Sequence, residues 1–364
     1  MVLVLLQHRY YITGGKKRVM DFKIGFIGFG TVGQGLTEIL LEKKDMLAKK
    51  FDFHYSVVAI SDIMKGSVYD ENGLDMRKIL ELVKNGKKLD EYPSGVKGMD
   101  ALETIKNTNA DTIVEVTFTN VKTGEPALTH IKTALQCGKH VVSTNKGPVV
   151  KQAIDLIKLA RENNVYYGFE GVVLAGTPAI NLFEYCLAGN HISGFKGILN
   201  GTTNYILTMM EEDMSYDEAL KKAQELGYAE ADPTGDVEGL DALGKVVILT
   251  NVVLGKNITW EDVERKGITD ITEEDIEEAK KEKKRWKLIG SSEIQKDGSV
   301  KARVWPEKLQ LNDPLAGVMG ATNALTYYTD ELGPVTVIGP GAGRRETGFA
   351  LLIDLLNINR ELKN

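Results

Sequence analysis

The sequence predicts an α/β protein with a doubly wound parallel sheet and a second, α+β domain. Three observations lead to this prediction. Short apolar segments alternate with helical patterns in the first half of the chain, an order typical of parallel sheets. A glycine-rich turn, Gly28-Phe-Gly-Thr-Val-Gly33, follows the first apolar segment. The chain has 364 residues, which is more than one compact core usually holds.

The composition narrows the class of protein. Hydrophobic residues make up 43% and charged residues 26% of the chain, which is ordinary for a globular protein. The net charge is −6 without a long basic block, which argues against a nucleic-acid partner. Two cysteines, Cys137 and Cys186, cannot form a disulfide framework, so a cytoplasmic location is expected. No apolar run reaches the roughly 20 residues of a membrane span.

The first 19 residues are expected to lie outside the fold. Their apolar run, Val2 to Leu6, is shorter than a signal-peptide core, and no small-residue cleavage site follows it. The simplest interpretation is an extension from an upstream start codon. Mass spectrometry of protein from the native host contradicts this if it finds an intact Met1.

The glycine-rich turn has the context of a Rossmann-type dinucleotide-binding motif. It lies between an apolar strand, 22–27, and a long helix that runs to about Lys50, and a second strand follows at 55–60. In this context the first glycine permits a tight turn, the second lets a pyrophosphate approach the backbone, and the third allows close packing. The start of the helix offers N–H groups to the phosphates. The alternative is a glycine turn without a ligand.

Residues after the second strand leave the choice between NAD and NADP open. An acidic side chain there favours a ribose diol, whereas a base favours a 2′-phosphate. The chain offers Ser61, Asp62 and Lys65. Asp62 favours NAD and Lys65 favours NADP, so these residues do not decide between the two cofactors.

Two further strands are predicted at 111–116 and 140–143, after a glycine-punctuated insertion at 63–108. Polar residues end them, namely Thr117 and the segment from Ser143 to Lys146. Ligands of such sheets bind beyond the carboxyl ends of the strands. Lys146 is therefore expected to face the nucleotide cleft, the alternative being an exposed loop lysine.

Glu170 precedes a glycine-rich turn, 171–178. Tight turns expose backbone carbonyls, which together with the Glu170 carboxylate could hold a hard monovalent cation. The alternative is a plain turn with an exposed acid.

The most unusual stretch runs from Gly227 to Lys245 and carries Glu230, Asp232 and Asp236. Asp236 is expected to cap the following helix. Asp241 and Lys245 lie four residues apart on one face of that helix. The next nine residues are almost entirely apolar, which indicates a buried helix. A solvated ion pair is the ordinary interpretation, but charges are seldom buried without a partner or a function.

The remaining elements suggest where the domains divide. Residues 20–150 are predicted to form the NAD(P)-binding domain and 151–334 a substrate-binding and dimerisation domain. A strand at 335–338 leads into a second glycine loop that contains Gly341, and a helix follows. Residues 335–364 are therefore expected to return to the nucleotide-binding domain.

These motifs together resemble the homoserine dehydrogenase family, from about Met20 to the C-terminus. The matching segments occur in family order, and the stretch from Tyr228 to Ala242 is the most specific. They are Gly28–Gly33, Ser143–Lys146, Glu170–Pro178, Asn200–Asn204, Gly227–Lys245 and Gly339–Gly343. The resemblance implies reversible, NAD(P)-dependent interconversion of L-homoserine and L-aspartate 4-semialdehyde, on the route to threonine, methionine and isoleucine. It also implies a homodimer built by the second domain.

The resemblance also implies roles for individual residues. Glu230 would bind the substrate, with Asp236 as a further active-site acid. Asp241 and Lys245 would lie at the reacting oxygen, and Lys146 between cofactor and substrate. The residues implied to contact the dinucleotide are Gly28, Phe29, Gly30, Thr31, Val32, Gly33, Thr117, Ser143, Lys146 and Gly341. A sodium-type site would comprise Glu170 with the backbones of Val173, Ala175 and Thr177. The sequence departs from the family pattern in having no fused kinase or ACT regulatory domain, and it leaves open whether threonine exerts feedback control.

The chemistry agrees with this set of residues. A hydride delivered to an aldehyde produces an alkoxide, which needs a positive group and then a proton. Lys245 can supply both if its pKa is lowered by burial or by a second cation such as Lys146. A reductase of semialdehyde phosphates would need a nucleophilic cysteine, and neither Cys137 nor Cys186 lies in a suitable segment. A dinucleotide-sensing module without catalysis is the other alternative.

Overall fold

A computed structural model describes residues 21–118 and 120–363. The described chain forms two compact units. One contains the residues up to Gly176 together with the segment that begins at Gly343, and the other is Thr177–Ala342. The expectation that residues 1–19 lie outside the fold concerns residues that are not described.

The first unit is built on a seven-stranded, mostly parallel sheet. Its strands are β1 (Asp21–Ile27), β2 (His54–Asp62), β3 (Gly66–Tyr69), β4 (Val96–Lys97), β5 (Thr112–Glu115), β6 (His140–Ser143) and β7 (Tyr167–Gly168). The strand order is β4-β3-β2-β1-β5-β6-β7. Strands β2, β1, β5, β6 and β7 run parallel, whereas β3 and β4 add an antiparallel edge. The connections reverse direction between β1 and β5, the place where ligands of such sheets bind.

Helices connect these strands. They are α1 (Thr31–Phe51), α2 (Met76–Lys84), α3 (Ala101–Asn107), α4 (Ala127–Gln136), α5 (Lys146–Glu162) and α6 (Gly171–Leu174), with a 3-10 turn at Leu89–Glu91. The predicted insertion at 63–108 thus supplies the antiparallel edge, α2 and α3. Phe22, Phe26 and Leu36 belong to the apolar core of this unit.

The second unit is built on a six-stranded sheet. Its strands are β8 (Ile192–Ile198), β9 (Val263–Arg265), β10 (Lys284–Ile294), β11 (Val300–Gln310), β12 (Thr322–Thr329) and β13 (Gly333–Pro340). Its helices are α7 (Gly201–Glu211), α8 (Tyr216–Glu225), α9 (Thr234–Val237), α10 (Leu240–Val253) and α11 (Glu273–Lys281), with a π-helical stretch at Leu182–Cys186 and a 3-10 turn at Trp260–Asp262. The strand order is β13-β12-β8-β10-β11-β9, antiparallel except for β9 beside β11.

The final helix, α12 (Arg344–Glu361), belongs to the first unit. It packs on α1 so closely that backbone atoms of the two helices approach each other. A Cβ atom added to Gly35 would lie 2.3 Å from the carbonyl oxygen of Arg344, and one added to Gly348 would lie 2.6 Å from the backbone nitrogen of Leu36. Glycine at both positions therefore allows the two helices to touch.

The compact units confirm the α/β class with a second mixed domain but divide the chain at other residues than the sequence suggested. Helix α5 stays with the first sheet because β7, which follows it, pairs with β6 through Val141 and Tyr167. Strand β13 pairs with β12 from Gly333 to Pro340. The return to the first unit therefore begins at Gly343 and not at residue 335. Within residues 21–118 and 120–363, no helix is both long and apolar enough to cross a membrane.

Candidate active site

The glycine loop after β1 has the geometry that its three glycines predict. Gly28 has a φ of +86°, and a Cβ atom there would lie 2.7 Å from the carbonyl oxygen of Val116. Gly30 precedes the first turn of α1. Gly33 is buried in that turn, where a Cβ atom would meet the carbonyl oxygen of Gly28 at 3.4 Å. The start of α1 thus offers N–H groups at the carboxyl end of β1.

A cleft of about 880 Å³ opens at this end of the sheet, which is within the range of small-molecule sites. Some of the residues expected to contact the cofactor line this cleft, namely Gly28, Gly30 and Thr117. The other expected residues nearby are placed differently: Phe29, Gly33 and Ser143 are buried, and Thr31 and Val32 lie in the first turn of α1. Exposed apolar side chains, Ile63, Met64 and Phe118, lie at the cleft.

Asp62, at the end of β2, has both carboxylate oxygens engaged. Its Oδ2 accepts a hydrogen bond from the backbone N–H of Phe29 at 2.7 Å. Its Oδ1 accepts from the N–H groups of Met64 and Lys65, each at 2.9 Å. Burial opposes ionisation, yet these backbone donors hold the pKa of Asp62 below its ordinary value. The Lys65 ammonium lies 3.7 Å from Oδ2, so this lysine is partly neutralised.

Glu115, at the end of β5, was missed by the sequence analysis. The buried carboxylate accepts hydrogen bonds from the backbone N–H and the hydroxyl of Thr117. It also accepts one from the hydroxyl of Ser143 at 3.3 Å, and Nδ1 of His130 lies 3.5 Å away. Glu115 therefore fixes two residues that were expected to contact the cofactor. The signal in the sequence that could have identified Glu115 is an acidic residue at the end of an apolar strand.

Lys146 is the first residue of α5 and is half-buried. The alternative of an exposed loop lysine is therefore wrong. Asn145 caps the helix by accepting a hydrogen bond from the N–H of Gly147. Its Nδ2 donates to the carbonyl oxygens of Thr117 and Phe118 at 3.3 and 3.0 Å. The segments after β5 and β6 are thus tied together beside Lys146.

The ion pair predicted at the start of α10 lies in the second unit. Lys245 is 4% exposed, and its Nζ lies 2.8 Å from Oδ2 of Asp241. Nζ also donates a hydrogen bond to the carbonyl oxygen of Leu199 at 2.5 Å. Because the lysine is buried, the pair is not a solvated surface contact.

Asn200, just after β8, joins the acids of this site. Its Nδ2 donates to Oδ1 of Asp236 at 2.7 Å and to Oδ2 of Asp241 at 3.1 Å. Its Oδ1 accepts from the N–H of Thr203 and so caps α7. Burial raises the pKa of Asp236, the hydrogen bond from Asn200 opposes this, and the nearby Asp241 adds to it. The motif 200–204 was noticed in the sequence, but this contact was not.

The expectation that Asp236 caps the long helix is wrong. Asp236 lies inside the short helix α9, and Gly239, with a φ of +74°, precedes α10. The Asp236 carboxylate instead points to Asn200. Glu230 and Asp232 are exposed in the loop between α8 and α9, where Gln224 donates a hydrogen bond to the carbonyl oxygen of Glu230.

The residues of the expected cation site are divided between the two units. Glu170, Val173 and Ala175 belong to the first and Thr177 to the second. Glu170 is buried and its N–H donates to Oδ2 of Asp354 at 3.0 Å, so it is not the exposed acid of a plain turn. Over residues 21–118 and 120–363, no group of three or more His, Cys, Asp or Glu side chains is placed to hold a metal ion. Gly341 lies in the second unit, against the side chain of Asn323.

The chain is similar to known proteins in both sequence and fold. Residues 178–356 match the family model described as Homoserine dehydrogenase. Residues 10–185 match the model described as Glutamate/Leucine/Phenylalanine/Valine dehydrogenase. The NAD(+)-dependent homoserine dehydrogenase of Pseudomonas canavaninivorans is 45% identical over 93% of this chain and 97% of its own length. The homoserine dehydrogenase of Methanocaldococcus jannaschii is 44% identical over 93% of this chain and 98% of its own.

A solved structure has the same fold. It is a hyperthermophilic archaeal homoserine dehydrogenase mutant in complex with NADPH, with a TM-score of 0.79 and 32% identity over 95% of this chain and 99% of that one. The fold and the site therefore define an NAD(P)-dependent oxidoreductase. More particularly, the chain belongs to the homoserine dehydrogenase family.

Proposed function

We propose that the protein catalyses reversible hydride transfer between L-homoserine and L-aspartate 4-semialdehyde, with Lys245 as the proton-transferring residue. The observation that carries this proposal is the buried Lys245–Asp241 pair, with 2.8 Å between Nζ and Oδ2, joined to Asp236 through Asn200. A buried lysine with a fixed carboxylate partner suits a reaction in which an oxygen gains and loses a proton. A dinucleotide sensor would have no use for this pair.

Each residue has a defined task in this proposal. A bound nicotinamide dinucleotide supplies the hydride chemistry. Lys245 stabilises the developing negative charge on the substrate's C4 oxygen and exchanges its proton. Asp241 orients the Lys245 ammonium, and Asn200 holds Asp241 and Asp236 in place. For Lys146, in the first unit, we propose a contact with the bound cofactor.

We infer that NAD is preferred over NADP. The Asp62 carboxylate stands at the end of β2, where it would repel a 2′-phosphate. Lys65, the base that could attract the phosphate, lies 3.7 Å from that carboxylate. The relative from Pseudomonas canavaninivorans is named as NAD(+)-dependent, which agrees with this inference.

A spectrophotometric assay tests both inferences. Protein, homoserine and either NAD⁺ or NADP⁺ are mixed at several pH values, and the absorbance of the reduced cofactor is followed. We expect reduction with a larger kcat/KM for NAD⁺. An absence of reduction with either cofactor would favour the sensor, and a larger kcat/KM for NADP⁺ would contradict the role given to Asp62.

Glu230 is proposed to bind the substrate's α-ammonium group. A charge-assisted hydrogen bond of this kind contributes about 1.5–3 kcal/mol, or roughly one to two powers of ten in affinity. The Glu230→Gln variant should therefore show a raised KM for homoserine and a smaller change in kcat. Asp232→Asn, which alters an exposed acid of the same loop, is the matched control. An unchanged KM in Glu230→Gln would argue against the contact.

Glu170, with the backbones of Val173, Ala175 and Thr177, is proposed to hold a sodium-type cation. A buried carboxylate beside a short helix, with Ala175 at a φ of +48°, supports this proposal because such backbone turns expose carbonyl oxygens. Exchanging sodium for tetramethylammonium should lower the melting temperature of the wild type, and Glu170→Gln should lose this dependence. Equal melting temperatures of the wild type in both salts would count against the site.

A homodimer formed by the second unit is proposed as well. Trp305, Tyr328 and Ile338 are exposed on strands β11, β12 and β13. The strand register places all three on one face of the sheet, and exposed aromatic residues are enriched at interfaces. Sedimentation should give a mass about twice the 40.1 kDa of one chain. A mass of one chain at assay concentrations would rule the dimer out.

A further inference from the structure

Lys287, on β10, is a buried base that the mechanism above does not use. It is 1% exposed. Its Nζ donates hydrogen bonds to Oδ1 of Asn204 at 2.8 Å and to the carbonyl oxygen of Val318 at 2.6 Å, and it lies 3.6 Å from the sulfur of Met319. Its partners are neutral groups, which is unusual because buried ammonium groups are normally paired with a carboxylate.

Asn204 connects Lys287 to the start of α7. Its Nδ2 donates to the carbonyl oxygens of Val318 and Thr322 at 3.2 and 3.0 Å. Lys287 and Asn204 thus bind the segment 318–322 to the first turn of α7. Asn204 stands one turn after Asn200, and its N–H is 3.4 Å from the carbonyl oxygen of Asn200. The position of Asn200 therefore depends on how this turn is held.

The hydrogen bonds of Asn200 are sensitive to the position of the first turn of α7. One nitrogen, Nδ2, serves both Asp236 and Asp241, so a small rotation of the first turn would lengthen one of these hydrogen bonds. Hydrogen bonds weaken steeply as distance and angle depart from the optimum. Leu199, whose carbonyl oxygen accepts the hydrogen bond from Lys245, directly precedes Asn200. A displacement of the first turn of α7 would therefore also reach Lys245.

We propose that Lys287 is a positioning residue for the acid–base unit of Asp236, Asp241 and Lys245, acting through Asn204 and the first turn of α7. The inference rests on the proposed function of that unit. Lys287 does not touch the reacting groups; it fixes the turn from which Asn200 reaches them.

The charge of Lys287 changes within the pH range in which the reaction rate can be measured. Burial lowers the pKa of Lys287 to about 8; Glu211 on α7 opposes this, and Arg285 on the same strand adds to it. Glu211 and Arg285 are themselves paired at 2.7 Å. Glu307, opposite Lys287 on β11, is paired with Lys196 and Arg303. Above this pKa the hydrogen bonds to Asn204 and Val318 lose their charge-assisted character, so kcat should step down near pH 8.

The test compares kcat and KM from pH 6 to 10 in three variants. Lys287→Met keeps an unbranched side chain, one atom shorter than lysine, and removes the hydrogen-bond donor. Lys287→Arg keeps a charge that does not titrate in this range. Lys139→Met is the matched control, because Lys139 is also buried and donates to two backbone carbonyls, those of Thr108 and Ala110, but lies in the first unit at the amino end of β6.

We expect Lys287→Met to lower kcat at pH 7 by about tenfold with the KM for the cofactor unchanged within about twofold, and to lack the step near pH 8. Lys139→Met should lower the melting temperature but keep kcat and the step. If Lys287→Met does not fold, Lys287→Arg should fold and show no step below pH 10.

Two results overturn the inference: an active wild type without a step near pH 8, or a step that persists in the folded Lys287 variants. A wild type inactive on homoserine would instead overturn the proposed function, and the inference with it, so the two failures are distinguishable.

Discussion

Replacing Lys245 by methionine should lower kcat by about 10²- to 10⁴-fold, the contribution of general acid–base catalysis. The variant loses the ammonium group 2.8 Å from Asp241 and with it the proton for the substrate's oxygen. NADH binding should be retained, because the glycine loop and the cleft belong to the first unit and Lys245 to the second. Steady-state rates and a fluorescence titration with NADH measure the two effects.

Lys256→Met is the control for this variant. Lys256 follows α10, the helix that contains Asp241 and Lys245. It donates a hydrogen bond to the carbonyl oxygen of Gly298 at 2.7 Å. Its loss should leave kcat close to that of the wild type. Near-normal turnover in Lys245→Met would remove this lysine from the mechanism.

Replacing Asp241 by alanine should lower both stability and turnover. Lys245 is 4% exposed, and its ammonium group would lose the carboxylate that faces it. Removing one partner of a buried pair costs about 3–5 kcal/mol. We expect roughly 3 kcal/mol in the free energy of unfolding, the lower end of that range, because the side chain of Asp241 is 20% exposed. Urea denaturation and steady-state kinetics measure these losses.

Asp241→Asn separates the charge from the hydrogen bond. An amide oxygen can still accept from Asn200 and Lys245, so the loss of stability should be smaller than in Asp241→Ala, whereas kcat should fall in both variants. If both variants keep the urea midpoint and the kcat of the wild type, Asp241 has no part in holding Lys245.

The features that the sequence predicted well are local. Alternating strands and helices, the glycine loop at 28–33 and the pair Asp241–Lys245 all follow from spacings of a few residues, which the periodicity of a helix or strand determines. The capping of α10 was also a local question, but the prediction placed Asp236 at the cap, whereas Gly239 precedes the helix.

The features that the sequence could not predict depend on contacts between distant residues. Asn200 reaches acids that are 36 and 41 residues away, and Lys287 reaches Asn204 across 83 residues. The pairing of β13 with β12, which moved the unit boundary to Gly343, is likewise a matter of tertiary structure. No periodicity within a window of 11–18 residues reports such partners.

The most direct test of the central claim follows the hydride itself. The protein is incubated with NAD⁺ and homoserine that carries deuterium at C4, and both products are analysed by mass spectrometry. We predict reduced cofactor that has gained one deuterium, together with an equal amount of aspartate 4-semialdehyde. Unlabelled reduced cofactor, or no reduced cofactor at all, would contradict the assignment of this protein as a homoserine dehydrogenase.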